Sequence, residues 1–449
     1  MSRPSRPRKV LFVSYYAAPW GGPQGFRTSQ ILRHLPAGGW EPTLLTVRPE
    51  AYGSGAAARD DSFPEARRNA IETRTLPLDR LIERFRAAGA AGDPAPEPGM
   101  RRRHSLMTRL VAYLTTPDRL VTWVPFGIAG GLREARRCDL IYASGPPFTN
   151  HLVGLALSRL TRKPLIVSVD DPWVSMEHRT WYSDGQRAVH ARLERAILKR
   201  ADAVLTPTTG FGQDLIDRLG PDLGGPVRAL HWGYDPEEIP DATRPPIPPP
   251  IRLAYAGSLR GAQYDPSGLF EALQRMAAAD PNLAQRLQLD FYGEPEERYR
   301  ELGGRGALAG LVNFHGYRPH REVVEACAGA HAGILIINDT FREFPWYLSA
   351  KIYLYAGLRR PVLGLVPPEG DAARLLADRR LGISVAPHDI EGIIAAIERI
   401  EVDHLALEDA IGDTSDLTAA VAVQRLVALL DDVLSGRSGQ FQRSKATFS

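Results

Sequence analysis

Two series of alternating segments dominate this sequence. In each series, short apolar runs of strand length alternate with stretches of helical periodicity, which is typical of parallel βαβ units. A proline-dense stretch at 240–250 separates the two series, and because proline lacks a backbone N–H it continues neither a helix nor an interior strand. The predicted strands are 10–14, 43–47, 140–143, 165–169 and 203–206 in the first series, and 252–256, 287–292, 312–315, 332–337, 361–366 and 383–386 in the second. The sequence therefore predicts an α/β protein with two Rossmann-like, doubly wound domains.

The chain is long enough for two separate hydrophobic cores, because its 449 residues exceed the usual size of one domain. Residues 51–104 include a low-complexity stretch and are predicted as a mobile insertion outside the core. The remaining predicted units are an N-terminal domain at 1–239, a linker at 240–250, a C-terminal domain at 251–414, an amphipathic terminal helix at 415–436 and a tail at 437–449.

Composition and charge argue against several classes of protein. The hydrophobic content of 44% and the charged content of 24% are ordinary for a globular enzyme. The net charge of +3 is small and no basic stripe with interleaved aromatics is present, so we expect no nucleic-acid partner. Cys138 and Cys327 supply neither a disulfide framework nor zinc-ligand spacing, which predicts a reduced, cytoplasmic protein. The apolar run at 10–19 is too short for a membrane span, so we expect no export signal there.

A glycine-rich turn follows the first predicted strand. Gly21 and Gly22 lie between that strand and an amphipathic helix, and glycine lets the backbone approach a ligand closely. Arg27 follows within the predicted helix. Two interpretations remain: a ligand-binding loop, or a tight strand–helix turn with a surface arginine.

Two later strands of the first series end in polar motifs, one in a Ser-Gly turn and the other in the pair Asp170 and Asp171. Ligands of open α/β sheets bind beyond the carboxyl ends of the strands. Asp171 is the candidate catalytic carboxylate, because a group placed there accepts a proton or a hydrogen bond from an acceptor hydroxyl. The alternative is that either aspartate only caps the following turn. Further candidates for the cleft are Ser144, Gly145, His151 and Trp173, although a histidine early in an apolar helix also suits a packed or capping role.

The strand ends of the second series favour an anionic ligand. Gly257 and Ser258 end its first strand, and the guanidinium of Arg260 follows. Lys351 lies near the start of a predicted helix, where ammonium groups and helix N-termini favour phosphate. Later loops at the same edge contain Tyr317, Gly370 and Asp371. The segment around Tyr317 equally suits a plain strand–helix connection.

These motifs, in this order, resemble the family 4-like glycosyltransferases of the GT-B fold. The resemblance spans about 8–435, apart from 51–104. It rests on the opening strand with Gly-Gly and a following Arg, on Ser-Gly-Pro-Pro-Phe, on Asp-Pro-Trp, and on Lys351 with Tyr355. The resemblance implies two domains facing across a cleft, with a nucleotide-diphosphate sugar bound mainly by the second domain at Gly257, Ser258, Arg260, Tyr317, Lys351, Gly370 and Asp371. It also implies sugar transfer with retention of configuration, and no metal or other cofactor.

On the acceptor side, the resemblance implies a carbohydrate, a lipid-linked or a small-molecule acceptor, and a role in cell-envelope polysaccharide or glycoconjugate synthesis. A basic amphipathic segment at 101–114 either packs on the N-terminal core or lies on the anionic inner face of a membrane. Peripheral membrane contact is therefore an open expectation.

The chain departs from the resembling family at two positions where that family has acidic residues. Trp346 and Leu354 occupy those positions here. Either Glu343, Glu369 or Asp371 takes over the acidic role, or the donor preference has changed, or the activity has fallen. Two alternatives to a transferase therefore stay open: a sugar-nucleotide epimerase of the same architecture, and a catalytically impaired GT-B binding subunit of a polysaccharide assembly system.

Overall fold

Two parallel β-sheets form the framework of the protein. The structure is a computed structural model that describes residues 6–52, 60, 62–76, 111–175, 181, 183–240, 248–338 and 344–436. The strands of the first sheet are β1 (Arg8–Val13), β2 (Trp40–Val47), β3 (Ala70–Thr73), β4 (Leu140–Gly145), β5 (Leu165–Val169), β6 (Ala203–Thr206) and β7 (Val227–Ala229). The strands of the second sheet are β8 (Ile251–Ala256), β9 (Leu287–Tyr292), β10 (Val312–Gly316), β11 (Ala332–Ile336), β12 (Val362–Leu365) and β13 (Gly382–Val385).

Helices connect the strands of both sheets. Those of the first half are α1 (Pro23–His34), α2 (Val124–Arg137), α3 (Thr149–Thr161), α4 (Asp184–Arg200) and α5 (Thr209–Leu219). Those of the second half are α6 (Ser267–Ala279), α7 (Leu283–Arg286), α8 (Glu297–Gly303), α9 (His320–Ala328), α10 (Lys351–Leu358), α11 (Asp371–Asp378), α12 (Ile390–Ala410) and α13 (Ala419–Leu434). Among the described residues, no helix combines the length and the apolar character needed to cross a bilayer.

The strand order places a ligand-binding crevice in each sheet. The first sheet has the order β3-β2-β1-β4-β5-β6-β7 and the second β10-β9-β8-β11-β12-β13, and all registered strand pairs are parallel. The chain therefore reverses its direction of strand addition between β1 and β4, and again between β8 and β11. Such switch points form crevices at the carboxyl ends of the strands, which is where the candidate residues were predicted.

Both faces of the first sheet are buried. Along β1, Leu11 and Val13 enter one core cluster, whereas Val10 and Phe12 enter another. This alternation buries the strand on both sides, as expected for a parallel sheet covered on two faces. The predicted α/β class with two doubly wound sheets is confirmed.

Helix α13 packs on the first sheet although it follows the second one in sequence. Leu426 and Leu430 join the cluster of Val10 and Phe12. At the end of the helix, the indole N–H of Trp40 donates to Asp431 Oδ1 at 3.0 Å. The last helix therefore adds a packed connection between the two halves of the chain.

The predicted insertion at 51–104 is wrong for part of its length. Residues 70–73 form β3, which pairs in parallel with β2, and the side chains of Phe63 and Asp60 are each 2% exposed. Strand β3 has only four residues, so its apolar pattern is too short to stand out in the sequence. The low-complexity part of this segment, at 77–104, lies outside the described residues, as do 53–59, 61 and most of the amphipathic segment at 101–114.

Candidate active site

Loops at the carboxyl ends of the two sheets meet, and the region between them is called the cleft; described residues of both halves contact one another at its border. The indole of Trp346 stacks on the ring of Phe211 in α5, with centroids 4.3 Å apart and the planes 10° from parallel. The hydroxyl of Thr208 donates to the carbonyl oxygen of Trp346 at 3.0 Å. On the other side, the main-chain N–H of His320 donates to Asp60 Oδ2 at 2.8 Å. The residue at the first departure from the family pattern is therefore a contact between the two halves.

Asp170, at the end of β5, is held by a buried polar network. Its carboxylate lies 3.4 Å from Arg27 Nε, and it accepts hydrogen bonds from Ser168 Oγ at 2.9 Å and from Gln24 Nε2 at 3.2 Å. Arg27 is 4% exposed, donates to the carbonyl oxygen of Leu230 and lies 4.9 Å from the ring centroid of Trp232. The structure therefore places Arg27 against Asp170, where it fixes the start of α1 relative to β5.

Asp171 has a different environment from its neighbour. Among the described residues, no side chain forms an ion pair or a hydrogen bond with its carboxylate. Burial, and then the adjacent charge of Asp170, raise the pKa of Asp171 to about 6. Burial raises the pKa of Tyr264 and Tyr347, and the carboxylate of Asp171 raises both further. Because these tyrosines belong to the second half of the chain, Asp171 lies across the cleft from them.

Lys351 is the cation of the opposite wall. It begins α10, and its Nζ lies 5.0 Å from the ring centroids of both Tyr255 and Tyr264. Within the described part of the chain, its ammonium has no acidic partner, and burial lowers its pKa to about 8. A desolvated ammonium next to aromatic rings and without a counter-ion is suited to bind an anionic ligand.

The turn after β8 approaches Lys351 closely. Gly257 has a φ of +138°, and a Cβ atom at this position would lie 2.7 Å from Lys351 Cε, so only glycine leaves room for the lysine. The N–H of Gly257 donates to the carbonyl oxygen of Tyr292 at 2.7 Å, and the carbonyl oxygen of Ser258 accepts from the hydroxyl of Tyr255 at 3.4 Å. Arg260 follows as an exposed side chain. The structure thus brings Gly257, Ser258 and Lys351 together at the end of β8, with Arg260 at the rim.

Sequence reasoning missed a tyrosine pair in the same wall. The hydroxyls of Tyr264 and Tyr347 lie 2.5 Å apart and are joined by a hydrogen bond. Both side chains keep part of their surface exposed. The two residues are 83 positions apart in sequence and each resembles an ordinary core aromatic, so no local motif pointed to them.

The predicted residues Tyr317 and Gly21 meet at the border between the halves. The hydroxyl of Tyr317 donates to Asp60 Oδ2 at 3.4 Å, and a Cβ atom on Gly21 would lie 2.2 Å from this hydroxyl. Gly21 therefore permits a close approach of the two halves. Gly22 lies just before the first turn of α1, with its Cα against the indole of Trp20.

Four of the residues that were predicted to line the cleft are buried in the protein interior. His151 is 1% exposed, its Nε2 lies 2.9 Å from the carbonyl oxygen of Ser168, and burial lowers its pKa to about 4. Trp173 is 2% exposed and its indole N–H donates to His190 Nδ1 at 3.0 Å. Ser144 accepts from Gln24 Nε2 at 2.6 Å, and the carbonyl oxygen of Gly145 accepts from the N–H of Asp170. These residues shape the ends of β4 and β5 from within the core.

The remaining predicted residues lie at the start of α11. Gly370 precedes the helix, and Asp371 forms an ion pair with Arg374 within its first turn. Asp371 also lies near Gly210 of α5, since a Cβ atom on that glycine would be 3.3 Å from Asp371 Oδ2. Of the three residues proposed to replace the missing acid, Glu369 is exposed and Glu343 lies outside the described residues. Within the described ranges, no three His, Cys, Asp or Glu side chains are grouped to hold a metal ion.

Comparisons with known proteins agree with this geometry. Residues 22–229 match the family model described as a glycosyl transferase 4-like domain. A glycogen synthase of Mycobacterium tuberculosis (strain CDC 1551 / Oshkosh) is 24% identical over 250 residues, which cover 53% of this chain and 56% of that protein. The chain thus spans about half the length of the curated relatives it matches.

Solved structures show the same fold over nearly the whole chain. Sucrose-phosphate synthase from Thermosynechococcus elongatus has a TM-score of 0.56 and 17% identity, covering 97% of this chain and 98% of its own. Anabaena HepE in complex with UDP-glucose has a TM-score of 0.56 and 15% identity, covering 97% and 100%. The predicted resemblance to family 4-like glycosyltransferases is confirmed for residues 22–229, and the solved structures confirm the predicted fold.

Proposed function

We propose that the protein is a glycosyltransferase that moves a sugar from a nucleotide-diphosphate sugar to an acceptor hydroxyl. The observation that carries this proposal is a desolvated cation, Lys351, beside the turn that follows β8, together with a desolvated carboxylate, Asp171, at the end of β5 in the other half of the chain. Transfer from such a donor requires an anion-binding group for the diphosphate and an acceptor-side group for the hydroxyl. The two residues supply these requirements from opposite domains.

On the donor side, Lys351 and the turn at Gly257 receive the diphosphate. The ammonium compensates the negative charge that develops on the leaving phosphate, and its place at the start of α10 adds the positive end of the helix dipole. The glycine at the end of β8 lets phosphate oxygens approach the main chain. Arg260, exposed at the rim, reaches the same charge from the solvent side.

On the acceptor side, Asp171 accepts a hydrogen bond from the attacking hydroxyl. With its pKa raised to about 6, the carboxylate is ionised at neutral pH and remains basic enough to assist removal of the proton. The bond between the sugar and the phosphate oxygen breaks, the bond to the acceptor oxygen forms, and the proton leaves the acceptor toward the carboxylate or the departing phosphate. No bound metal takes part in this proposal.

The finer parts of the proposal are retention of the anomeric configuration and an acceptor in polysaccharide or glycoconjugate synthesis. The match to the family 4-like domain and the curated relative named glycogen synthase support them. Nuclear magnetic resonance of the product, recorded before the sugar equilibrates, measures the anomeric configuration. A product of inverted configuration would overturn the proposed retention.

A two-stage experiment tests the function. Thermal denaturation is first measured with UDP, GDP, ADP and dTDP and with UDP-glucose, GDP-mannose, ADP-glucose and dTDP-glucose, because a ligand of the folded state raises the melting temperature. The sugar nucleotide that binds is then incubated with and without oligosaccharide acceptors, and release of the diphosphate is followed. Acceptor-dependent release supports transfer, whereas acceptor-independent conversion of the sugar favours the epimerase. Binding of none of the eight compounds would sink the proposal.

A further inference from the structure

The tyrosine pair lies at the point of the wall where the sugar of a donor would be held. Tyr264 belongs to the short turn 262–264 that follows β8, and Tyr347 belongs to the loop before α10. The hydroxyl–hydroxyl distance is 2.5 Å, and the ring of Tyr264 lies 5.0 Å from Lys351 Nζ. The pair is thus the neighbour of the proposed phosphate-binding cation.

The carboxylate of Asp171, which belongs to the first half of the chain, lies near the tyrosine pair. It is close enough to influence both tyrosines electrostatically. In a transfer reaction, the sugar ring lies between the phosphate that leaves and the hydroxyl that attacks. Because Lys351 marks the first position and Asp171 the second, the hydroxyl pair lies beside the sugar between them.

We propose that Tyr264 and Tyr347 act as a hydroxyl pair that recognises the sugar of the donor by hydrogen bonds and sets its specificity. This inference rests on the proposed function. Phenolic hydroxyls both donate and accept, as the hydroxyls of a pyranose also do, so the pair matches a neutral polyhydroxylated ring. The class of ligand is the hexose of a nucleotide-diphosphate hexose.

Both tyrosines are held in place by the loops that carry them. The N–H of Asn338, after β11, donates to the carbonyl oxygen of Gln263 at 2.9 Å, which ties the turn of Tyr264 to the neighbouring strand. Trp346, next to Tyr347, is anchored on Phe211 of the other half. Pre-positioned groups of this kind recognise a ligand without the cost of ordering them first.

Carboxylates near this wall are engaged elsewhere: Asp265, next to Tyr264, accepts a hydrogen bond from the N–H of Ser267. Asp371 pairs with Arg374, and Glu369 is an exposed loop residue. Trp346 and Leu354 bring apolar side chains to the two positions where an acid was expected. The hydroxyls of Tyr264 and Tyr347 are therefore polar groups of this wall that no carboxylate of Asp265 or Asp371 replaces.

The test compares binding of a sugar nucleotide with binding of its parent diphosphate by titration calorimetry. The probes are the diphosphate and the hexose conjugate that bind wild-type protein in the panel of eight compounds. The variants are Tyr264→Phe, Tyr347→Phe and, as a matched control outside the wall, Tyr234→Phe, whose hydroxyl lies 3.4 Å from the carbonyl oxygen of Thr414. Circular dichroism and melting temperature establish that each variant is folded.

Each cleft variant is expected to lose about threefold to tenfold in affinity for the hexose conjugate, the usual effect of one hydrogen bond, while affinity for the diphosphate stays within twofold. Tyr234→Phe is expected to change neither. Unchanged preference for the conjugate in both cleft variants, or equal binding of the two probes by wild-type protein, overturns the inference. Absence of diphosphate binding by wild-type protein overturns the proposed function instead, so the two failures are distinct. If one variant does not fold, the other still decides the outcome.

Discussion

At the scale of single residues, adjacent aspartates at the end of β5 have opposite environments. Asp170 lies against Arg27 and two hydrogen-bond donors, whereas Asp171 is desolvated without an ion-pair partner among the described residues. The same side-chain chemistry thus serves structure at Asp170, whereas the proposed role of Asp171 is in the reaction. Substitution by asparagine separates these roles, because it removes the charge and preserves the shape.

We expect Asp171→Asn to lower kcat by about 100- to 10,000-fold, the usual contribution of a positioned base, and to leave diphosphate affinity unchanged. Wild-type kcat is expected to fall as the pH drops below about 6, because the carboxylate then becomes protonated. Because the pKa of Asp171 is raised above its ordinary value of 3.8, its contribution to stability is fully present below pH 3.8 and is lost as the pH rises through about 6. At pH 7, Asp171→Asn should therefore melt at a higher temperature than wild type, measured by scanning calorimetry.

Asp170→Asn is the matched control for this experiment. It leaves the buried guanidinium of Arg27 without its counter-ion, which costs about 3–5 kcal/mol in comparable buried pairs. Its melting temperature should fall below that of wild type. Equal effects of the two substitutions on kcat and on melting temperature would contradict the assignment of separate roles.

The second residue-scale prediction concerns Lys351. Replacement by methionine should weaken diphosphate binding by about 10- to 150-fold, the equivalent of a charged hydrogen bond of about 1.5–3 kcal/mol. Burial lowers the pKa of Lys351 to about 8, so wild-type affinity should fall about tenfold between pH 7 and pH 9 as the ammonium loses its proton. Titration calorimetry at the two pH values measures both effects.

The pH dependence should be flat in Lys351→Met. Lys199→Met, at an exposed position of α4, should keep the affinity and the pH dependence of wild type. A wild-type affinity that stays constant up to pH 9 would show that the ammonium does not contact the diphosphate.

At the scale of elements, Tyr355 closes the switch point of the second sheet. Strands β8 and β11 pair only at Leu253–Ala332 and Ala254–Gly333. The hydroxyl of Tyr355 accepts from the N–H of Ala256 at 3.1 Å and lies 3.0 Å from the carbonyl oxygen of Ala254. A side chain of α10 therefore replaces the missing strand pairing beside the turn at Gly257.

We expect Tyr355→Phe to destabilise the second domain by about 1–3 kcal/mol, because it leaves buried main-chain groups without a partner. The measurement is the urea dependence of fluorescence together with hydrogen exchange at Ala256. Tyr353→Phe is the control, since the described residues supply no hydrogen-bond partner for its hydroxyl. Faster exchange at Ala256 only in Tyr355→Phe is expected, and unchanged exchange would show that the hydroxyl does not protect this strand end.

Elements also show what the sequence could and could not predict. The strands at 165–169, 203–206 and 287–292 were predicted with their observed bounds, because each is a short apolar run next to a helical segment. Strands β3 and β7 were missed, because strands of four and three residues are defined by pairing with a neighbour rather than by a pattern of their own.

Prediction of the candidate site from the sequence has the same limit, because contacts between distant segments leave no local pattern. The strand-end rule selected Asp171, and the start of a predicted helix selected Lys351; the structure places Asp171 after β5 and Lys351 beside the turn that follows β8. The contact between Tyr264 and Tyr347 joins segments that are far apart in sequence, so it depends on tertiary folding that no local pattern contains. Trp173 and His151 were selected as cleft residues, but their rings are buried and their ring nitrogens contact His190 and the carbonyl oxygen of Ser168.

At the scale of the whole molecule, Trp346 connects the two domains. Its indole is 7% exposed and stacks on Phe211, so the loop that presents Tyr347 is fixed to the first domain. Asp60 and His320 form a second contact, and α13 packs back on the first sheet. The arrangement of the cleft therefore depends on contacts between the two halves, and the stack of Trp346 on Phe211 is the one next to Tyr347.

We expect Trp346→Ala to open the cleft rather than to unfold either domain. Truncation of a buried tryptophan costs about 3–5 kcal/mol, which is comparable to the few kcal/mol that separate open and closed forms of proteins with two conformations. The substitution removes a contact between the domains, so we expect the domains to move apart without unfolding. The radius of gyration measured by small-angle X-ray scattering should increase, and KM for the donor should rise.

Trp346→Phe is the matched variant, since a phenyl ring retains a stacking face toward Phe211. Its scattering curve should stay close to that of wild type, with an intermediate KM for the donor. The diphosphate should still bind to Trp346→Ala, because Lys351 and the turn at Gly257 lie in one domain and do not need the other to form. If Trp346→Ala scatters as wild type does and binds the donor equally well, the stack on Phe211 does not control the cleft, and other contacts between the halves, such as those of His320 with Asp60 and Glu238, are sufficient to hold it.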